Sequence, residues 1–277
     1  MKSRLGLNLF REMKLRKEKI TMLTAYNAWQ ARLAENAGAE MLLVGDSVGM
    51  VEHGFPDTLD VTLDMMVLHC AAVSRGSEKA FLVGDLPFLS YEVDEREAIR
   101  NAGRLIREGR VQAVKLEGGV NRFETIKSIV RAGIPVMGHV GLTPQTSIAL
   151  GGYKVQGKDR ESARRVLEDA MAVEKAGAFA IVLECVPSPL ASLVTEKLSI
   201  PTIGIGAGPG CDGQVLVLHD VLDLYGMFRP KFVKVFADGG RILLEGLEKY
   251  VLEVKQGEFP GEEHGFTMDA GLLEELK

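Results

Sequence analysis

The sequence predicts a single (β/α)8 TIM barrel, and three observations lead there. Short apolar runs alternate with amphipathic helical segments from end to end, with no compositional break between the halves. About eight strand–helix units can be counted in 277 residues, a usual size for this barrel. The apolar runs also repeatedly close on an acid, as when parallel strands deliver reactive side chains at their carboxyl ends. A doubly wound open sheet is the runner-up. One domain is expected over 1–277, with an N-terminal helical extension at 1–18 and a C-terminal tail at 257–277.

Taken in order, 5–17 predicts a short helix and 19–23 a first strand that ends at Thr24-Ala25-Tyr26. Asn27 opens a helical pattern that Gly38 stops. Residues 41–45 are an unbroken apolar run, the signature of a strand buried on both faces, and it closes on Asp46-Ser47. A long loop is expected over 50–60, then a helix over 62–74 and a third strand over 80–84 ending at Asp85. A helix over 95–108, a strand over 113–116 ending at Glu117, and a helix over 122–132 follow, then a fifth strand over 135–138 ending at His139. A glycine-containing loop at 151–158 precedes a helix over 159–176, and a sixth strand over 179–183 ends at Glu184. After a helix over 187–198 come a strand over 201–205 and an eighth over 215–218, ending at His219-Asp220. An amphipathic helix over 238–256 leads into the acidic tail.

Composition excludes several function classes. A net charge of -5 carries no nucleic-acid footprint, and the one basic cluster, 11–19, is mixed with Glu12 and Glu18 as on a solvated helix face. Cysteines at 70, 185 and 211 form neither a disulfide framework nor a zinc-ligand spacing, which fits a reducing compartment. No apolar stretch has membrane length and no signal-peptide core is visible, so a cytoplasmic location is expected. The glycine-rich nucleotide-phosphate motifs are missing.

Asp46, Asp85 and Glu117 stand 39 and 32 positions apart, about one βα repeat each, so a parallel sheet brings them to one rim on consecutive strands. Crowded carboxylates repel unless a cation neutralises them. Oxygen ligands without cysteine favour a hard divalent ion, Mg²⁺ before Mn²⁺. Asp46 taken alone reads equally as a cap. Lys115 lies two residues before Glu117 on the same strand face, either as a contact for an anionic substrate or as an ion-pair partner of Glu117. His139 shares the rim as a pocket or structural histidine, and Ser47 is a hydrogen-bond donor or a turn cap. Glu184, across the mouth from Asp46, is the candidate general base. Cation, carboxylate base and anion-holding lysine are the minimum set for taking a proton from carbon beside the keto group of a 2-oxo acid.

Several runs then carry a resemblance: Met22-Leu23-Thr24-Ala25-Tyr26, Leu42 to Met50, Asp85-Leu86-Pro87-Phe88, Val114 to Gly119, Gly138 to Gln145, Leu183 to Pro187, Ile203 to Gly208 and Phe259 to His264. In this order, over about 20–266, the sequence closely resembles the 3-methyl-2-oxobutanoate (ketopantoate) hydroxymethyltransferase family. The resemblance implies a phosphoenolpyruvate/pyruvate-like barrel that transfers a hydroxymethyl group from 5,10-methylenetetrahydrofolate to 3-methyl-2-oxobutanoate, through a Mg-stabilised enolate, giving 2-dehydropantoate for pantothenate and coenzyme A. By position it implies Mg²⁺ at Asp46, Asp85 and Glu117, substrate contacts at Asp46, Ser47, Asp85, Lys115 and His139, and Glu184 as proton acceptor. It further implies a homodecamer. A Mg-dependent carbon–carbon lyase of the isocitrate lyase/phosphoenolpyruvate mutase type is the nearest alternative, and a non-catalytic scaffold barrel is the second.

Overall fold

The computed structural model describes residues 4–226 and 229–276, so the first three residues of the expected extension and Lys277 of the tail lie outside them. The chain divides into two compact units, Met1–Val221 with Arg229–Lys234, and Leu222–Phe228 with Val235–Lys277.

The first unit is a closed barrel of parallel strands: β1 (Ile20–Thr24), β2 (Met41–Val44), β3 (Phe81–Asp85), β4 (Ala113–Glu117), β5 (Val136–Gly141), β6 (Ala180–Glu184), β7 (Thr202–Ile205) and β8 (Gly213–Leu216), with β8 pairing back onto β1. Around it run α1 (Leu7–Arg16), α2 (Ala28–Asn36), α3 (Val48–Val51), α4 (Leu63–Gly76), α5 (Glu95–Arg107), α6 (Phe123–Arg131), α7 (Arg160–Lys175), α8 (Ser188–Lys197) and α9 (Leu218–Leu222). Side chains of Asn27, Thr62, Asp94 and Asp159 cap α2, α4, α5 and α7 by accepting the backbone N–H three residues on, so these helices start at capping residues.

Strand alternation sorts the interior into two zones. Met41 and Leu43 of β2, Phe81 and Val83 of β3, Ala113 of β4, Met137 of β5, and Ala180 and Val182 of β6 belong to one apolar core. Counting by twos along the same strands reaches Asp85, then Lys115 and Glu117, then His139, then Glu184. The inward column therefore changes from apolar to charged toward the carboxyl ends. Phe10 and Met13 of α1 join the apolar zone, the Phe10 ring lying edge-on to Phe81 at 5.3 Å, and burial of Phe10 contributes about 2–3 kcal/mol. Lys14 ties α1 down by donating to Asp212 Oδ2 at 2.7 Å.

Some sequence expectations shift. β3, β4 and β6 include Asp85, Glu117 and Glu184, and β5 runs through His139 to Gly141, because the backbone ladder continues after the apolar pattern stops. The expected loop over 50–60 opens with part of α3. The eighth strand lies at Gly213–Leu216, not 215–218, and His219 and Asp220 sit in α9.

In the second unit, α10 (Gly239–Gln256) ends at Gly257, whose left-handed φ of 72° lets its N–H return to the last turn. The expected tail forms a single turn at Glu262–His264 and a short helix, α11 (Ala270–Glu275). No residue of α10 is buried, and Leu243, Leu247 and Tyr250 are exposed.

Candidate active site

The chain leaves β2 at Gly45, which places Asp46 and Ser47 just past the strand's carboxyl end. Asp85 Oδ2 accepts the Asp46 N–H at 3.1 Å, so the first two acids are in contact. Register sets the rest: Asp85 lies opposite Lys115, and Glu117 opposite His139. The partner of Lys115 is Asp85, with Nζ 3.1 Å from Oδ1, and not Glu117 as the spacing allowed. Glu117 Oε1 stands 3.4 Å from His139 Nδ1, and Glu184 Oε2 stands 3.1 Å from His139 Nε2. His139 therefore lies between two acids within ion-pair distance, although its Nε2 has no well-aligned hydrogen bond. Gly141, at φ 96°, makes room for this edge, since a Cβ there would fall 2.3 Å from the Glu184 carbonyl oxygen. Ser47 Oγ is 2.8 Å from the Tyr26 hydroxyl. All the sequence-predicted residues thus reach one rim. Asp46, Asp85, Lys115, Glu117 and His139 are buried, while the Glu184 side chain keeps 15% exposure.

Electrostatics follow from crowding. Burial, then the nearby Glu117 charge, raises the Asp46 carboxyl to about 6, against the pull of Lys115, Gln145 and His139. Burial likewise raises Asp85 to about 6, although Lys115 opposes it. Lys115 moves up despite its burial, because Asp85, Glu117 and Asp46 outweigh desolvation. For His139, burial and Lys115 favour the neutral ring, but the carboxylates of Glu117 and Glu184 raise it to about 9. Two contacts compete for His139 Nδ1: Glu117 needs a proton there, and Lys115 Nζ, also at 3.4 Å, needs a lone pair. The flanking carboxylates keep the ring protonated, so the Glu117 contact is the attractive one.

Sequence reasoning missed three residues. Tyr26 holds Ser47, and a Gln145–Tyr91 pair binds the acids. Tyr26 and Gln145 lie inside the recognisable runs, whereas Tyr91 sits in an irregular loop that no periodicity marks.

The donor set fits a hard cation. Among the described residues no group of three or more His, Cys, Asp or Glu is placed to hold a metal ion together, so Asp46, Asp85 and Glu117 do not form a ready three-carboxylate site. Mg²⁺ does not need one, since it commonly takes one or two carboxylates and keeps waters. Asp85 Oδ1 is buried without a hydrogen-bond partner, Lys115 being close but poorly aligned, so an acceptor is left over at the rim.

A family model described as ketopantoate hydroxymethyltransferase matches residues 4–262. The chain belongs to the ketopantoate hydroxymethyltransferase family. Among the relatives of this family member, a 3-methyl-2-oxobutanoate hydroxymethyltransferase of Enterococcus faecalis is 54% identical over 267 residues, 96% of this chain and 97% of its own. The one from Syntrophotalea carbinolica is 57% identical over 255 residues, 92% of this chain and 96% of its own. Solved structures give the fold. A phosphonopyruvate hydrolase complexed with oxalate and Mg²⁺ aligns with TM-score 0.62 at 13% identity, covering 98% of this chain and 95% of its own. A 2,3-dimethylmalate lyase of the PEP mutase/isocitrate lyase superfamily aligns at 0.58 and 19%, covering 98% and 93%. The lyase alternative is thus shared at the level of the barrel, while the ketopantoate hydroxymethyltransferase family covers nearly the whole chain.

Proposed function

We propose that this chain transfers a hydroxymethyl group from 5,10-methylenetetrahydrofolate to 3-methyl-2-oxobutanoate, giving 2-dehydropantoate. The observation that carries this reading is the charged interior layer, Asp85, Lys115, Glu117, His139 and Glu184, at the carboxyl ends of consecutive strands in a member of this family.

Asp46, Asp85 and Glu117 are the residues that would hold Mg²⁺, directly or through water. When bound, the cation supplies Lewis-acid polarisation of the keto group and so acidifies the neighbouring C3–H. Lys115 offsets the carboxylate charge of the oxo acid, and Ser47, held by Tyr26, donates to a substrate oxygen. Glu184 is the least buried acid of the layer and takes the C3 proton. His139 Nε2, 3.1 Å from its carboxylate, holds it by charge without a well-aligned hydrogen bond. In the balanced transfer the C3–H electron pair forms the new C–C bond to the methylene carbon, both C–N bonds from that carbon to the folate break, and water adds its hydroxyl to the carbon. Tetrahydrofolate leaves carrying the C3 proton and the second proton of the water on its two freed nitrogens.

The same reading includes a cytoplasmic location and a homodecamer. The exposed apolar residues of α10 support an assembly of copies, and no helix among the described residues is long and apolar enough to cross a membrane.

The test is deuterium exchange at C3 of 3-methyl-2-oxobutanoate in D₂O without folate, followed by NMR. With Mg²⁺ present the protein exchanges the proton, and Glu184→Gln slows exchange about 10²- to 10⁴-fold while leaving oxo-acid binding nearly intact. Exchange that is unchanged in the variant removes Glu184 as the base.

A further inference from the structure

Gln145 follows β5 and is buried at 4% exposure, and each of its polar atoms except the carbonyl meets the candidate site. Its side-chain Nε2 donates to Asp46 Oδ2 at 2.8 Å and to the Leu86 carbonyl at 2.9 Å. Its backbone N–H donates to Glu117 Oε2 at 3.1 Å. One residue thus grips an acid beyond β2 and an acid ending β4.

The amide works only one way round. Turned over, its oxygen would face the Asp46 carboxylate and the Leu86 carbonyl, acceptor against acceptor. Tyr91 sets the orientation. Its hydroxyl proton has Gln145 Oε1 at 2.6 Å and the Glu117 carbonyl at 3.4 Å, and it goes to the nearer. The hydroxyl oxygen also accepts the Glu117 N–H at 3.2 Å. Tyr91 is itself fixed, 2% exposed, with the Arg122 guanidinium 5.8 Å over its ring.

We propose that Tyr91 and Gln145 form a positioning pair: Tyr91 locks the Gln145 amide, and Gln145 fixes the orientation of Asp46 and Glu117, two of the carboxylates assigned to the divalent cation. The pair uses neutral donors. It steadies two carboxylates without cancelling their charge, which an ion pair would do, and so leaves them competent to attract a cation. The bland alternative, a buried amide that is merely satisfied, predicts a loss of stability and no change in cation affinity. This inference rests on the cation assignment made under the proposed function.

The experiment measures Mn²⁺ affinity, without substrate, from the free-ion electron paramagnetic resonance signal, with circular dichroism to confirm folding. Wild type binds Mn²⁺, and Asp85→Ala loses it. Gln145→Leu weakens binding about 10- to 100-fold, the usual cost of removing a residue that orients a ligand. Tyr91→Phe also weakens it but adds less in the Gln145→Leu background than alone, because its main effect passes through Gln145 and only the Glu117 N–H contact remains to be lost. If folded Gln145→Leu binds Mn²⁺ like wild type, the pair has no positioning role. Should Gln145→Leu fail to fold, Tyr91→Phe decides, and an unchanged affinity overturns the inference. If wild type binds no Mn²⁺, the cation assignment itself falls, and this inference with it.

Discussion

Replacing His139 by Gln removes a proton that folding acquires. The ring titrates at 6.5 when free and near 9 in the fold, where Glu117 and Glu184 hold it protonated. A raised pKa means that the native state binds the proton more tightly, so the stabilisation is full below about pH 6.5 and is lost as pH rises through 9. Each tenfold change in proton affinity is worth about 1.4 kcal/mol. Metal-free wild type should therefore hold a pH-dependent advantage over His139→Gln of roughly 2–3 kcal/mol at pH 7, about 1.4 kcal/mol at pH 8 and almost none at pH 10. That window is clean, because Asp46 and Asp85, near 6, are already ionised and Lys115, moved up, is not yet titrating. Urea unfolding in EDTA, at matched ionic strength from pH 7 to 10, measures it. A constant difference between the two proteins across that range would refute the protonated His139.

Three further perturbations test other parts of the fold. Lys115→Met leaves buried Asp85 without its cation, and should cost about 3–5 kcal/mol in urea unfolding of the metal-free protein while weakening oxo-acid binding by calorimetry; unchanged binding would leave Lys115 a structural role only. Asp212→Ala removes the acceptor shared by Lys14 Nζ and the Thr202 N–H and hydroxyl, and should lose about 2–4 kcal/mol, read as a lower urea midpoint. Gly76→Ala would set a Cβ 2.1 Å from the Ala28 carbonyl oxygen, so α4 and α2 must part, and the thermal midpoint should fall by an amount equivalent to about 1–3 kcal/mol.

How much of this was legible depended on periodicity. β2 could be found because Met41, Leu42, Leu43 and Val44 are all apolar, and the acid after them stands out against such a run. The same contrast blurred the strand ends. Asp85, Lys115, Glu117 and His139 face inward, so the apolar signal fails there while the ladder continues. Partners across the rim were less legible still. Whether Lys115 meets Asp85 or Glu117 is decided by the register of β3 against β4, which spacing along one strand does not contain. Tyr91 lies in an irregular loop and Gln145 in a single 3-10 turn, Pro144–Thr146, too short for a face to repeat, and only the folded chain shows that residues 54 positions apart share a hydrogen bond.

The charge balance at the rim explains why such a costly cluster is retained. Asp46, Asp85, Glu117 and Glu184 face Lys115 and a protonated His139, which leaves an excess of two negative charges if every acid ionises. Burial first, and the neighbouring acids after it, raise Asp46 and Asp85 to about 6, so that without a cation these two take up protons once pH falls below neutrality. A divalent ion carries the missing charge and would displace those protons. A purely structural layer would be more stable with apolar residues continuing to the carboxyl ends, since buried ions repay their desolvation poorly. The interior instead changes from Met137 to His139 and from Val83 to Asp85 within one inward step. That switch spends stability at the one end of the barrel where βα loops admit substrate, which is where a site for acidifying an oxo acid has to lie.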